Sequence, residues 1–209
     1  TTAPKPEEIV LRKSRVTIPD ALKAIVSADH LTRLEHSYGK AWFDVCRMLQ
    51  RSVPSPPDAV AIPETEQDVI RILDWCETIG AKIIPYGGGS SVVKGIEPPA
   101  NADKVVTLSL RNMDRVLEID PVSHAARVQA GVYGPHLEEQ LRGSGFTMRH
   151  YMQAYQLSTL GGWIATRSGG HYSTLWTHID DFVESTRVVT PVGTLETRRS
   201  RDFLPSLSW

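Results

Sequence analysis

Cysteine is scarce in this chain of 209 residues, with only Cys46 and Cys76 present. The two sit in separate apolar patterns, which argues against a disulfide framework or a metal-binding cysteine motif and suits two reduced core thiols. Charge of one sign is also lacking: 23 Lys and Arg against 24 Asp and Glu leave a formal net charge of -1, with the two signs interspersed. No face is marked for a nucleic acid backbone, so nucleic acid is not an expected partner. No run of 18 apolar residues occurs, which leaves no transmembrane helix to propose. The opening "TTAPKPEEIVLRK" lacks the basic-then-apolar plan of a secretory signal, and a cytoplasmic location is expected. Internal repeats are missing as well. What remains is an ordinary globular composition, 41% hydrophobic and 22% charged.

The first 18 residues mix Pro, Lys and Glu without a period and read as a surface lead-in. "PDALKAIVSAD" predicts a helix starting at Pro19, with Leu22, Ile25 and Val26 on one face. A second helix is expected from Ala41 to Gln50, and "RSVPSPPDAV" reads as a linker, broken by Pro54, Pro56 and Pro57. Residues 1–53 are therefore taken as a helical lead-in and 54–209 as the main domain. There, Ala59 to Ile62 predicts a strand, and Thr65 with Asp68 a capped helix carrying Val69, Ile72, Leu73 and Cys76 on its apolar stripe. Gly80 ends that helix, and a strand follows from Lys82 to Ile84, so the unit is a parallel crossover. "VVTLSL", "VLEID" and "AARVQAG" read as strands, "GPHLEEQLRGSG" as a helix, and "TRVVTPVGTLETR" as a hairpin. The expected fold class is α+β with one parallel unit.

Immediately after the second predicted strand comes "PYGGGSSVVKG". A surface turn needing positive φ would use glycine, but seldom three in a row. A nest of main-chain N–H groups around a phosphate explains all three, with Ser90 and Ser91 adding hydroxyls. A Walker loop is excluded, because Lys94 follows Val93 and precedes Gly95. The Rossmann fingerprint fails too, since Val92 stands where its last glycine belongs. A pyrophosphate held by N–H dipoles is still open.

A second glycine-bearing stretch, "QAYQLSTLGGWIATRSGG", carries Gly161 and Gly162 inside a helix-like run. Glycine there costs about 1 kcal/mol against alanine, so close approach of a planar ligand or of another backbone must compensate. Ser158 and Thr159 are placed to cap a helix or to meet a phosphate or ribityl chain. The pair His171 and His178 lacks further ligands at metal spacing, so no metal is expected. Asp180 and Asp181 read as a solvated face or a helix cap rather than an acid pair. No Gly-x-Ser-x-Gly elbow is present, which gives no support to a serine hydrolase.

In order and spacing, "PYGGGSSVVKG", "RVQAGVYGPHLEEQL", "STLGGWIATRSGG" and "HIDDFVESTRVVTPVGTLE" resemble the PCMH-type FAD-binding domain of the vanillyl-alcohol oxidase and p-cresol methylhydroxylase superfamily. The likeness, from about Leu31 to Arg199, is to its alkyldihydroxyacetonephosphate synthase (alkylglycerone-phosphate synthase) branch and to related FAD-linked oxidases. The resemblance implies two α+β subdomains with FAD between them. It implies cofactor contacts at Pro85, Tyr86, Gly87, Gly88, Gly89, Ser90 and Ser91, and at Gln153, Ser158, Thr159, Gly161, Gly162, Ala165, Thr166, Arg167 and Ser168. Many members tether flavin to a histidine in the glycine loop; Ser90 and Ser91 stand here, so non-covalent FAD is expected. The implied reaction exchanges acyl for alkyl on acyl-dihydroxyacetone phosphate, in ether-lipid synthesis. The alternatives are oxidation of a hydroxy acid or a non-catalytic flavin module. A lipid-like or hydroxy-acid substrate and a homodimer are the corresponding partners. No catalytic acid, base or nucleophile is identified in the 209 residues, and the family's cap and its Gly-Ser-Glu-Gly continuation do not appear before Trp209.

Overall fold

Two compact units divide the chain, the first ending at Met113 and the second beginning at Asp114. The computed structural model describes residues 3–171 and 178–197. In the first unit the elements are β1 (Val26–Ser27), α1 (His30–Glu35), α2 (Trp42–Leu49), β2 (Ala59–Ala61), α3 (Glu66–Thr78), β3 (Lys82–Tyr86) and β4 (Val105–Ser109). They build a four-stranded sheet in the order β1-β2-β4-β3. β2 and β3 both pair parallel with β4, while β1 pairs antiparallel with β2. The expected crossover through α3 is present, but it leaves a slot between its two strands that β4 fills. All residues of β2 and β4 are buried, which is why both read as unbroken apolar or small runs without alternation.

The capping box reads as expected. Thr65 Oγ1 accepts from the Asp68 N–H at 3.1 Å, and Asp68 Oδ2 accepts from the Thr65 N–H at 3.0 Å. Val69, Ile72, Trp75 and Cys76 then form the buried stripe of α3. Burial raises the Cys76 thiol to about 12.

The lead-in departs from expectation in two ways. The helix predicted from Pro19 is a single 3-10 turn, Asp20–Leu22, and Val26 lies instead in β1 opposite Ala61. An extended backbone there gains ladder bonds from β2, including Ile62 N–H to the Ile25 carbonyl at 2.7 Å, which a helix would forgo. Nor are the first residues a mere surface lead-in. Ile9 is buried with Leu34, Tyr38 and Val53. The fully buried Asp58 carboxylate accepts from Arg12 Nη1 (2.5 Å), Arg15 Nη2 (2.8 Å), the Arg15 N–H (3.0 Å) and the Val105 N–H (2.9 Å). Burial pushes that carboxyl up, but the hydrogen bonds from Arg15, Arg12 and the main chain outweigh it and hold its pKa well below the carboxylate range.

In the second unit β5 (Val116–Asp120) and β6 (Ala125–Val128) form an antiparallel pair, followed by α4 (Gly134–Arg142), α5 (Leu160–Thr166) and the hairpin of β7 (Arg187–Thr190) and β8 (Gly193–Glu196). Its core gathers Val132, Leu137, Leu141, Met152, Trp163 and Ile179. Glu138, buried on α4, accepts from the N–H groups of Met148 (2.9 Å) and Arg149 (3.1 Å), tying the following loop to the helix. Among the described residues no helix is long and apolar enough to cross a membrane.

Candidate functional site

The two groups of residues singled out in the sequence fall on different units. Pro85 and Tyr86 end β3, and Gly87, Gly88 and Gly89 bend the chain away, with Ser90 and Ser91 following. Loops leaving the carboxyl ends of parallel strands are common ligand positions. The main-chain N–H groups of residues 87–91 meet no acceptor among the described residues. Five successive donors without a protein acceptor among the described residues, on a bent backbone and half-buried for the most part, are suited to an oxyanion.

The three glycines are not equivalent. Gly89 has φ +69°, and a Cβ on it would overlap the Tyr86 hydroxyl. That hydroxyl donates to the Glu35 carbonyl at 3.2 Å, and the Tyr86 ring lies 4.5 Å from that of His36. Gly89 is thus bare to admit a side chain of its own unit as well as to turn the loop. His36 Nδ1 is 2.8 Å from the Thr32 carbonyl, and burial lowers the pKa of this histidine.

In the second unit Thr159 caps α5, its hydroxyl accepting from the Gly162 N–H at 3.4 Å. Gly161 and Gly162 do not interrupt a helix; they make its first turn. A Cβ on Gly161 would stand 2.8 Å from the Ala130 Cβ and 2.9 Å from its carbonyl oxygen, which accepts from the Gly161 N–H at 2.8 Å. At this glycine the close neighbour is another backbone. Gly162 differs, since the nearest atom to a Cβ there is Thr159 Oγ1 at 3.3 Å. The Ser158 hydroxyl is engaged within the unit, donating to the Ala154 carbonyl and accepting from Trp163 Nε1, both at 2.7 Å.

Gln153 is exposed in a turn, and Ala165 and Thr166 are exposed at the end of α5. Arg167 adopts the left-handed conformation (φ +51°) and its Nε donates to Asp180 Oδ2 at 2.9 Å. Ser168 Oγ lies 3.3 Å from Nε2 of the buried His150. Burial lowers the His150 pKa, against the opposing charge of Asp181. Asp181 accepts from the His178 N–H at 3.1 Å, which is the capping one of the two roles read for the Asp180–Asp181 pair. Among the described residues no cluster of His, Cys, Asp or Glu is arranged to hold a metal ion.

The sequence reading missed Gly39 and the residues around it. Gly39 packs directly on the Ser91 carbonyl, and the Lys40 N–H donates to that oxygen at 2.8 Å. No local pattern signals this contact, because its two halves lie far apart in the chain.

The family model described as an FAD binding domain matches residues 57–198. Alkyldihydroxyacetonephosphate synthase of Dictyostelium discoideum is 38% identical over 191 residues, which cover 91% of this chain and 31% of the relative. A solved alkyldihydroxyacetonephosphate synthase superposes with a TM-score of 0.90 at 36% identity, over 95% of this chain and 39% of that one. The solved p-cresol methylhydroxylase shares the fold, with a TM-score of 0.67 at 16% identity over 83% of this chain and 32% of that one. The chain therefore spans well under half the length of these proteins.

Proposed function

Since the chain belongs to the FAD binding domain family, we propose that it is the flavin-holding part of an enzyme of the alkyldihydroxyacetonephosphate synthase type, exchanging the acyl group of acyl-dihydroxyacetone phosphate for the alkyl group of a fatty alcohol. The cofactor is FAD. The observation that carries the assignment of residues is the run of N–H groups at 87–91 that meets no acceptor among the described residues. A diphosphate supplies the oxygens such a run requires, and each hydrogen bond to a charged group contributes roughly 1.5–3 kcal/mol, so a few suffice without a lysine. Ser90 and Ser91 add hydroxyl donors. Bound FAD would supply the electron-accepting ring system; the acyloxy group departs as the fatty acid, taking up the proton that the alcohol gives up as its oxygen forms the new carbon–oxygen bond, so the substrate carbon stays at the same oxidation level and no electron acceptor is consumed.

No histidine or cysteine lies between Pro85 and Gly95, and the flavin is therefore held without a covalent link from this loop. The test is a titration of the protein with FAD, read by flavin fluorescence, followed by acid precipitation. Saturable one-to-one binding with all yellow colour in the supernatant is expected. Lack of binding up to millimolar FAD overturns the site, and colour retained in the pellet overturns non-covalent attachment. Incorporation of labelled fatty alcohol into acyl-dihydroxyacetone phosphate, with no dye reduction by a 2-hydroxy acid, supports the exchange; the reverse pattern refutes it.

A further inference from the structure

The diphosphate loop does not stand by itself in the first unit. Everything that follows rests on the flavin reading above. Tyr86, the last residue before the glycines, is anchored by its hydroxyl to the Glu35 carbonyl and by its ring to His36. At the other end of the glycine run, the Ser91 carbonyl receives the Lys40 N–H and lies against the Cα of Gly39. Further along, Arg47 on α2 reaches Glu97 with both terminal nitrogens, at 2.7 and 2.9 Å. Lys94 sits 4.8 Å above the ring of Phe43. One continuous segment, residues 35–47, thus touches the loop before, immediately after and beyond its bare stretch. That segment lies outside the family match, which begins at residue 57.

We propose that Gly39 is a positioning residue for cofactor binding: its missing side chain lets the segment 35–47 seat against Ser91 and so fixes the direction of the N–H groups at 87–91. A Cβ on Gly39 would overlap the Ser91 carbonyl oxygen and stand 2.9 Å from its carbon. Both atoms are main chain, so they cannot swing aside as a flexible side chain would. The loop must move, and with it the carbonyl that the Lys40 N–H holds. Donors two to four residues away are then turned from the positions the diphosphate needs. The Asp44 carboxylate, 3.3 Å from the same added Cβ, blocks retreat on the other side; it is buried and accepts from the Ala41 N–H at 3.1 Å.

The experiment compares wild type with Gly39→Ala by FAD titration and by melting of the apoprotein. Losing one or more charge-assisted hydrogen bonds is expected to raise the FAD Kd by roughly 10- to 100-fold. The apoprotein should remain folded at the titration temperature, a split that a purely structural role would not give. Equal affinity for both proteins overturns the proposal. Failure of the wild type itself to bind overturns the flavin reading instead, so the two failures are distinct. Should Gly39→Ala not fold, Glu97→Gln tests the same clamp from the loop side: a several-fold rise in Kd with an apo melting temperature close to wild type supports it, and an unchanged Kd refutes it.

Discussion

Replacing Asp58 by alanine should destabilise the first unit by about 4 kcal/mol, summing a buried donor orphaned and a partly buried ion cluster broken. The side chain of Asp58 is 0% exposed, whereas those of Arg12 and Arg15 are 31% and 38% exposed. After Asp58→Ala the two guanidiniums can regain water, so their share falls toward the roughly 1 kcal/mol of surface pairs rather than the 3–5 of a fully buried pair. The N–H of Val105 cannot, because Val105 is wholly buried in the sheet, and an unsatisfied buried donor costs about 1–3 kcal/mol. The Arg15 N–H loses the same acceptor. Asp58→Asn retains one acceptor oxygen and should cost about half as much. With a urea slope of about 2 kcal/mol/M, the alanine variant moves the unfolding midpoint of this unit down by about 2 M. Circular dichroism over a urea series reads the shift. The sign with pH is also set: a carboxyl whose pKa is lowered by folding contributes fully above its unfolded value near 4 and loses that contribution as pH falls toward its folded value. A shift below about 1 kcal/mol for Asp58→Ala at neutral pH would refute the idea that this cluster pins the first residues to the sheet.

The paired glycines of α5 give opposite expectations. Gly161→Ala must displace Ala130 and should lower stability by about 2 kcal/mol, while Gly162→Ala gains helix propensity and should be neutral or stabilising by up to about 1 kcal/mol; thermal melts of both variants check the order. His150 is neutral in the fold, with Ser168, Trp163 and Phe182 around it and its pKa lowered by burial. Its contribution is complete above the unfolded value near 6.5 and declines as pH drops through that value toward the lower folded one, so His150→Gln should flatten the stability profile below about pH 6.5. An unchanged slope over that window would count against the neutral, buried imidazole.

What was legible in the sequence was local. Thr65 with Asp68, the residues Val69, Ile72 and Cys76 of α3, and the bare run following β3 each declare themselves within a dozen residues, and the structure places them as expected, although Trp75 rather than the half-buried Leu73 completes the buried stripe. The turn at Asp20–Leu22 was misread as a helix because Leu22, Ile25 and Val26 have helical spacing, while the strand that captures Val26 lies at Ala61. The roles of Arg12 and Arg15 were invisible for the same reason, since their shared partner is Asp58. Gly161 was read as a site of close approach by a ligand or another backbone, and the neighbour is Ala130; Gly89 was read as part of a phosphate nest, and the Tyr86 hydroxyl occupies the space a Cβ there would need. A pattern of glycines shows that room is needed and does not name the occupant.

β1 has two residues, and they sit on the outer rung of β2, whose Ala59, Val60 and Ala61 have no exposed surface at all. A shortened protein beginning at residue 57, where the family match starts, would bare that rung: an apolar strand edge with open donors and acceptors, ready to recruit the same strand from another molecule. Intermolecular sheet growth, and with it precipitation during expression, is the consequence of trimming away what looks from the family match like dispensable sequence.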